Sequence, residues 1–416
     1  MYEQLRGRKT AGGVRLDDIT RAGTSLPYGA HPLRGLAGVF VGDADSYKTF
    51  EPLLLPLIRD HLLLTPARRI TSASDRRRTQ QRRTDAEAAT PNVASIKAAV
   101  ASAASAISGI SGRTRRLQRH ESNLNYKQLL SDKLDEDGRY ILYTRMRLAR
   151  SIGGYRFAPC ISRGERRRVE NLVKECVSEL EGDGSVDDDS PVDDGGGGAK
   201  AGKYVSVMDM TNAQHDDLIQ RRILFHDPDE FALSAGLGRD WPDGRGIYCD
   251  TWEENSMPHV IIWCNAEDHL WIISNAKGGD VQGVFTKLSQ TAHKLESALR
   301  RRGRSFVEDP QLGFLNCSPD HVGTALRASV YVKLVNLSKQ PGFWDLVHRL
   351  RLEARSDYEE TDKRFTGIYD MANAESLGKS EVDLINIMIR GVKILIELEK
   401  RLESGDKTVD LSTVAV

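Results

Sequence analysis

Two arginines lie at alternate positions in the segment YILYTRMRLARS, residues 140–151. The apolar residues around them predict a β-strand, in which Arg145 and Arg147 project from the same face. Two guanidinium groups held side by side suit an anion with several oxygens, such as a polyphosphate. The alternative interpretation is an exposed basic strand edge, and the pair alone does not decide between the two.

A carboxylate occurs between two apolar runs in CNAEDHLWIIS, residues 264–274. This pattern predicts two strands joined by a turn that presents Glu267 at the edge of a cavity. A carboxylate in that place can orient the nitrogen of a guanidino substrate and accept a proton during transfer. The alternatives are a solvated hairpin tip for Glu267 and a hydrogen-bonded structural role for the neighbouring His269.

A third segment, LGFLNCSPDHVGTALRASVYVKL at 312–334, combines a proline-containing turn with Gly323 and Arg327. The glycine permits a close backbone approach, and Arg327, ahead of an apolar strand, adds a phosphate-directed cation. The chain contains neither a GxxxxGKS/T loop nor a GxGxxG motif after a strand. Any phosphate must therefore be bound by arginines rather than by a glycine-rich helix start.

A polar stretch at 350–370 is too long to be a tight turn, and it contains Arg355, Glu359 and Glu360. Long polar loops in enzymes are often lids that close over a substrate. The alternative is mobile surface without a function.

The elements that must position these residues form two units. The amino-terminal unit carries apolar residues at helical spacing, and the larger unit alternates apolar strand-like runs with amphipathic helical segments. This mixture predicts an α+β domain whose sheet is covered by helices on one side. The predicted boundaries are 1–64 for the small helical domain, 65–121 for an insertion, 122–407 for the α+β catalytic domain with a second insertion at 181–203, and 408–416 for a tail.

The two insertions differ from the rest in composition. Residues 65–121 are rich in Arg, Ala and Ser and contain no Phe, Tyr or Trp, whereas 181–203 is acidic and glycine-rich and is interpreted as disordered. The basic ends of the first insertion suit a docking patch for a protein or filament partner; a solvated loop is the alternative. Nucleic-acid binding is disfavoured because no aromatic residue is interleaved there to stack on bases.

Composition narrows the function classes further. Lys plus Arg and Asp plus Glu both number 59, so no global charge attracts nucleic acid or an anionic membrane. The start MYEQLRGRKT has no apolar segment of a secretory signal, and no run reaches the length of a membrane span. Five cysteines without CxxC spacing disfavour disulfides and zinc knuckles. An intracellular, cytoplasmic protein is expected, with association with the cytoskeleton left open.

Four motifs in order resemble the signatures of phosphagen (guanidino) kinases: YTRMRLARS, NAEDHLWIIS, SPDHVGTALRAS, and ARSDYEETDKRFTGIYDMAN. The tail NAESLGKSEVDLINIMIRGVKILIELEKRLESG is most similar to creatine kinases. The resemblance covers nearly everything outside the two insertions. It implies the guanidino kinase fold, with a small all-α N-terminal domain and a large C-terminal domain whose antiparallel sheet is flanked by helices.

The resemblance also implies an activity and a set of site residues. The activity is reversible transfer of the ATP γ-phosphoryl to a guanidino nitrogen, with Mg-ATP/ADP as substrate and the Mg²⁺ bound by nucleotide oxygens and water, so no protein metal ligands are implied. The arginines that bind the phosphates fall on Arg145, Arg147, Arg327 and Arg355. The catalytic glutamate falls on Glu267, a second one on Glu360, and Trp263 matches the tryptophan before the active-site glutamate. Creatine kinase relatives are often dimers or octamers and arginine kinases are often monomers, so the resemblance leaves the oligomeric state open.

Several positions depart from the family pattern. Trp271 replaces an arginine of the phosphate cradle, and Ser318 replaces a cysteine thiolate and is counted here as a candidate catalytic residue. Cys317 lies one place earlier, and strand alternation points it to the other face. Tyr143 replaces a small serine, and Arg222 replaces a histidine that packs on adenine. His321 replaces an asparagine, and Ala266 replaces a glutamate.

These departures leave two hypotheses. The first is an active ATP:guanidino phosphotransferase of the creatine or arginine kinase type. The second is a catalytically impaired relative that serves as a structural or binding protein in a larger assembly. One missing cation at a transferring phosphoryl group commonly lowers the rate by about 10²–10³, so the departures bear directly on the choice.

Overall fold

The computed structural model describes residues 2–25, 38–59, 119–130, 134–135, 137–180, 202–253, 256–356, 366–406 and 410–414. Most of both predicted insertions and the candidate Glu360 lie outside these residues. Within the described ranges, no helix has the length and apolar character that crossing a bilayer requires.

A single eight-stranded antiparallel sheet organises the large domain. Its strand order is β2-β3-β4-β5-β1-β8-β10-β9, so β1 lies in the interior between β5 and β8. The predicted fold class, a small helical domain plus a large domain with an antiparallel sheet and helices, is confirmed. The strands of this sheet are β1 (Ile141–Arg150), β2 (Lys203–Ser206), β3 (Gly246–Cys249), β4 (Val260–Cys264), β5 (Leu270–Lys277), β8 (Leu326–Lys333), β9 (Leu352–Ser356) and β10 (Ile368–Asn373). A separate two-stranded ribbon consists of β6 (Glu308–Asp309) and β7 (Gly313–Phe314).

The amino-terminal domain contains four helices in its described part: α1 (Tyr2–Leu5), α2 (Leu16–Ser25), α3 (Ser46–Thr49) and α4 (Glu51–Ile58). The large domain contains α5 (Arg163–Ser178), α6 (Asn212–Gln220), α7 (Glu230–Ser234), α8 (Val281–Arg301), α9 (Phe343–Arg349) and α10 (Glu381–Glu403). Helix α4 confirms the helical spacing predicted for the amino-terminal unit, and α5, α8 and α10 confirm the amphipathic helical segments predicted for the larger one.

Local sequence explains where the long helices begin and end. Helix α5 starts with a capping box between Ser162 and Glu165, and α10 starts with one between Ser380 and Asp383. Gly405 follows the end of α10 with φ +85°. A left-handed residue just past a helix end is typical of glycine because it has no Cβ to clash.

Two parts of the sequence interpretation are corrected. The polar stretch at 350–370 is not wholly a loop, because Leu352–Ser356 form edge strand β9 and Ile368–Asn373 form β10. Arg327 lies inside β8 rather than ahead of it. Both corrections have the same cause: hydrogen bonds to β10 and β8 stabilise polar residues in strands that local patterning does not predict.

The main core lies on one face of the sheet, where α5, α8, α9 and α10 cover it. Helix α10 packs on the sheet through an apolar stripe of six residues, all of which are buried. Full burial of one such side chain contributes about 1.5–3 kcal/mol, so this stripe fixes the helix on the sheet. Its residues are Ile385, Met388, Ile389, Val392, Leu395 and Ile396.

A second core joins the amino-terminal helices to the large domain. Apolar residues of α2 and α4 pack with Phe157, Leu315 and Cys317 of the large domain. Two hydrogen bonds reinforce the contact: Val41 N–H donates to the Cys317 carbonyl at 2.8 Å, and Tyr47 donates to the Asn316 carbonyl at 2.7 Å. These contacts fix the amino-terminal helices to the large domain.

A buried ion pair ties together three distant parts of the chain. Arg150, at the end of β1, faces Glu381 at the start of α10 at 3.7 Å, with 1% and 0% side-chain exposure. Glu381 also accepts hydrogen bonds from the Ser122 hydroxyl at 2.8 Å and the Asn123 N–H at 2.7 Å. The residues that follow the first insertion are thereby fixed to the core.

We expect Glu381→Ala to lower the free energy of unfolding by about 3–5 kcal/mol, because it leaves a buried guanidinium without its counter-charge. Denaturant unfolding followed by circular dichroism measures the change. Glu397→Ala removes an exposed carboxylate from the same helix and should change the value by no more than about 0.5 kcal/mol. Equal losses in the two variants would contradict the importance of this pair.

Candidate active site

The four predicted phosphate-binding arginines lie on the sheet face opposite the main core and form an arginine row, which consists of Arg145, Arg147, Arg327 and Arg355. Arg145 and Arg147 project from the same side of β1, as the alternation predicts. In the register between β1 and β8, Arg147 lies directly opposite Arg327, and Arg145 lies opposite Ser329. Cross-strand neighbours have Cβ atoms about 4.5–5.5 Å apart, so the sheet itself brings like charges together.

Two of the four arginines are neutralised by carboxylates that the sequence analysis did not single out. Arg327 donates to Glu353 and to Asp370, each at 2.8 Å. Arg355 donates to the other oxygen of Glu353 at 3.2 and 3.1 Å. Burial disfavours a charged Asp370, but Arg327 and Arg147 outweigh it and hold the pKa of Asp370 below its usual value.

Arg147 has a different environment. Within the described residues it makes no ion pair, and its guanidinium lies 5.3 Å from the centre of the Trp271 ring. Burial, followed by repulsion from Arg327, Arg145 and Arg355, lowers the pKa of Arg147 to about 9. A guanidinium stays protonated at neutral pH, so the lowered pKa means that its positive charge is poorly compensated there. A bound anion would compensate that positive charge.

Arg145 is oriented by backbone and aromatic groups. Its Nη1 donates to the carbonyl of Arg222 at 3.0 Å, and its guanidinium lies 5.6 Å from the Trp263 ring centre. Trp263 is fixed in turn, because its indole N–H donates to the Ile223 carbonyl at 2.7 Å. Burial lowers the pKa of Arg145 too, so a second guanidinium of the row lacks full charge compensation.

An aromatic pair continues the row beyond Arg145. Tyr143 on β1 lies opposite Tyr331 on β8, with ring centres 5.8 Å apart in an edge-to-face arrangement. The guanidinium of Arg222 lies 5.6 Å from the Tyr331 ring centre. The sequence analysis named Tyr143 and Arg222 but missed Tyr331; alternation within ASVYVKL puts it on the Arg327 face and could have revealed it.

The other end of the row is acidic. Glu267 lies in the turn between β4 and β5, as predicted, and Asp268 beside it is fully buried. Asp268 accepts the Cys317 N–H at 2.8 Å and contacts Nδ1 of His321 at 3.3 Å. The His321 ring meets the Trp271 ring edge-on, with centres 5.0 Å apart. Trp271 therefore stands between the cationic and the acidic ends.

Ser318 and Cys317 are both buried. The Ser318 side chain is 1% exposed and caps the 3₁₀ turn Pro319–His321 by accepting the Asp320 N–H at 3.4 Å. The Cys317 thiol donates to the Glu267 carbonyl at 3.5 Å, and burial with the nearby Asp268 and Glu267 raises its pKa. A charged thiolate is thus disfavoured at this end of the site.

The His269 side chain contacts backbone groups through both ring nitrogens. Its Nδ1 accepts the Ile152 N–H at 2.9 Å, and its Nε2 lies 3.0 Å from the Arg156 carbonyl. Both ring nitrogens have partners, and burial lowers the pKa of His269. These contacts agree with the structural alternative considered for this residue.

A cavity of about 500 Å³ lies elsewhere, between the amino-terminal domain and the start of α5. Its carboxylates are already used: Asp43 accepts from Thr10 at 2.6 Å, and Glu165 accepts from Arg156 at 2.9 Å. Within the parts of the chain that the structure describes, no group of three or more His, Cys, Asp or Glu side chains could hold a metal ion. The sheet face with the arginine row remains the better candidate.

Comparisons with known proteins identify the family of both domains. Residues 1–59 match the family model for the ATP:guanido phosphotransferase N-terminal domain, and residues 192–402 match that for the C-terminal catalytic domain. Creatine kinase B-type of Gallus gallus is 33% identical over 412 residues, covering 99% of this chain and 89% of the relative. Creatine kinase M-type of Rattus norvegicus is 32% identical with the same coverage.

Solved structures show the same architecture. A crystal structure of lombricine kinase superposes with a TM-score of 0.73 at 28% identity, covering 99% of this chain and 93% of that one. The duplicated taurocyamine kinase from Schistosoma mansoni gives a TM-score of 0.72 at 24% identity, covering 98% of this chain and 46% of that one, and shows the fold alone. Because these sequence matches cover 99% of its length, the chain belongs to the ATP:guanido phosphotransferase family.

Proposed function

We propose that this chain transfers the γ-phosphoryl group of Mg-ATP to the nitrogen of a guanidino compound of the creatine or arginine type. The observation that carries the proposal is Arg147, a half-buried cation without a carboxylate partner among the described residues, in a row with Arg145, Arg327 and Arg355. In the described part of the chain, four guanidinium groups face two carboxylates there, so the row suits a phosphate chain.

The two ends of the site support complementary roles. Mg-ATP is the substrate whose phosphates lie along the arginines, which neutralise the charge that develops on the transferring group. At the acidic end, Glu267 orients the guanidinium of the acceptor. The nitrogen–phosphorus bond forms while the bond from the γ-phosphorus to the β–γ bridging oxygen breaks, Glu267 accepts the proton that the attacking nitrogen loses, and ADP leaves. Glu360, outside the described residues, is proposed as a second carboxylate.

Trp271 limits this reaction. The indole provides a cation–π contact worth about 0.5–2 kcal/mol to Arg147, but it cannot donate to a phosphate as an arginine would. We therefore propose slow turnover, with the phosphates bound mainly by the four remaining arginines. A cytoplasmic location and a docking role for 65–121 toward a protein or filament belong to the same proposal.

A binding protein with impaired transfer is the second candidate. It is favoured by the buried, uncharged Cys317 and Ser318 at the acidic end and by the Tyr143–Tyr331 pair at the other. Such a protein would bind nucleotide without forming a phosphorylated guanidino compound.

We expect isothermal titration calorimetry to detect binding of Mg-ADP that strengthens when nitrate and either creatine or arginine are added, because nitrate resembles the planar transferring phosphoryl group. Arg147→Gln should weaken Mg-ADP binding by about tenfold to a hundredfold, since a hydrogen bond to a charged group contributes about 1.5–3 kcal/mol.

Arg300→Gln is the matched control, because Arg300 lies on the exposed face of α8 and its ion pair in the described part of the chain is with Glu296. It should leave the affinity unchanged. No binding heat at millimolar Mg-ADP in the wild-type protein would contradict the proposal.

We expect Trp271→Arg to lower the melting temperature of the free protein, because it places another cation beside Arg147 and empties a packed aromatic position. The same variant should show a larger stabilisation by Mg-ADP and faster transfer. Trp271→Leu also empties the position but adds no charge, so it should show only the loss of stability. Equal Mg-ADP shifts in the two variants would place Trp271 outside the phosphate site.

A further inference from the structure

The Glu353 carboxylate holds two arginines of the row at once. Its Oε2 accepts a hydrogen bond from Nη1 of Arg327 at 2.8 Å, and its Oε1 accepts from Nε and Nη2 of Arg355 at 3.2 and 3.1 Å. Glu353 and Arg355 both lie on edge strand β9, whereas Arg327 lies on β8. Because β10 separates these two strands, the carboxylate reaches Arg327 across the width of a strand.

Small residues lie along the line that Glu353 crosses. The strand registers place Arg145, Ser329, Ala372 and Glu353 in one line of cross-strand neighbours from β1 to β9. Ser329 and Ala372, in the middle of this line, have short side chains and are buried. Short side chains there leave room above the sheet for a longer group. A carboxylate of the chain itself therefore extends into the space between the arginines.

The two carboxylates of the row differ in how freely they can move. Asp370 lies on the interior strand β10 with a side chain that is 16% exposed, whereas Glu353 on the edge strand is 31% exposed. Burial disfavours a charged Arg327, but Asp370 and Glu353 outweigh it and raise the pKa of Arg327 above its ordinary value. The charge of Arg327 is thus compensated partly by a carboxylate that solvent can reach.

We propose that Glu353 competes with the nucleotide phosphates for Arg327 and Arg355. The inference rests on the proposed function, in which these two arginines bind the phosphates of Mg-ATP. When the phosphate chain binds, the Glu353 side chain rotates toward solvent while the backbone of β9 stays paired with β10. As ADP leaves, the carboxylate returns and pairs with both arginines again.

The geometry of guanidinium hydrogen bonds favours competition over simultaneous binding. Carboxylate and phosphate oxygens both fit the fork of N–H groups that an arginine presents. Nη1 and Nη2 of Arg327 already donate to Glu353 and Asp370, so a phosphate that takes this fork must displace one of them. Glu353 is the more exposed of the two. Breaking its contacts costs part of the binding free energy, so Glu353 lowers the affinity for nucleotide.

The test compares Glu353→Gln and Glu353→Asp with the wild-type protein by isothermal titration calorimetry with Mg-ADP. Glu353→Gln removes the charge at nearly constant shape, so the dissociation constant should fall by about tenfold to a hundredfold, the factor that one hydrogen bond between charged groups contributes. The melting temperature of free Glu353→Gln should also fall, because the row loses a compensating charge.

Glu353→Asp separates competition from a general effect of charge. It keeps the negative charge but is one methylene shorter, so it cannot bridge both arginines, and the dissociation constant should fall by about threefold to tenfold. Long-range charge alone predicts no change in this variant. If Glu353→Gln does not fold, Glu353→Asp decides the question by itself: tighter binding supports competition, and unchanged binding overturns it.

Glu179→Gln is the matched control, because Glu179 likewise pairs with two arginines, Arg301 and Arg302, where α5 and α8 end. These helices cover the main core on the other face of the sheet, so the variant should leave the Mg-ADP affinity unchanged.

Wild-type affinity in both Glu353 variants would overturn this inference and leave the proposed function intact. A gain in Glu353→Gln alone would overturn it too, since loss of charge would then account for the gain. A wild-type protein that is silent at millimolar Mg-ADP, with binding restored in both variants, would support strong competition. Absence of binding in all three proteins would overturn the inference together with the proposed function.

Discussion

The rest of the site depends on one electrostatic constraint: four guanidinium groups lie on one face of the sheet, and within the described ranges two carboxylates, Glu353 and Asp370, pair with them. The antiparallel register enforces this crowding, because Arg147 and Arg327 are direct cross-strand partners. Gathering like charges in a half-buried place is unfavourable unless an anion binds there and neutralises them. The main core on the opposite face and the helices over it hold the strands against this repulsion.

The same constraint explains the division of the site into two ends. Glu353 and Asp370 neutralise Arg327 and Arg355, so the uncompensated charge is concentrated on Arg147 and Arg145 of β1. Trp271 lies beside Arg147 on one side and meets His321 on the other. The amino-terminal domain supports the acidic end from behind, through its contacts with Asn316 and Cys317.

Alternation along single strands predicts part of this arrangement. The shared face of Arg145 and Arg147 and the turn position of Glu267 both follow from local pattern, and so do the long helices. The fold class follows from the mixture of patterns, and its antiparallel form from the resemblance to a family. These features depend on residues that are close in the chain, where periodicity is informative.

The remaining features depend on contacts between distant segments, which a single sequence does not contain. Register between separate strands pairs Arg327 with Glu353 and Asp370, and the fold of the 312–334 segment brings His321 to Asp268, 53 residues away. Local pattern likewise missed that β9 is a strand. The burial of Ser318 and Cys317 follows from docking of the amino-terminal domain, which no pattern within 312–334 indicates.

Phosphorus NMR of the protein with Mg-ATP and a guanidino compound tests the central claim most directly. If the arginine row binds the phosphates and the acidic end binds the acceptor, the γ-phosphate signal should decline while ADP and a phosphorus–nitrogen resonance grow in equal amounts. A γ-phosphate signal that persists, or that converts only to inorganic phosphate, with both creatine and arginine would contradict it.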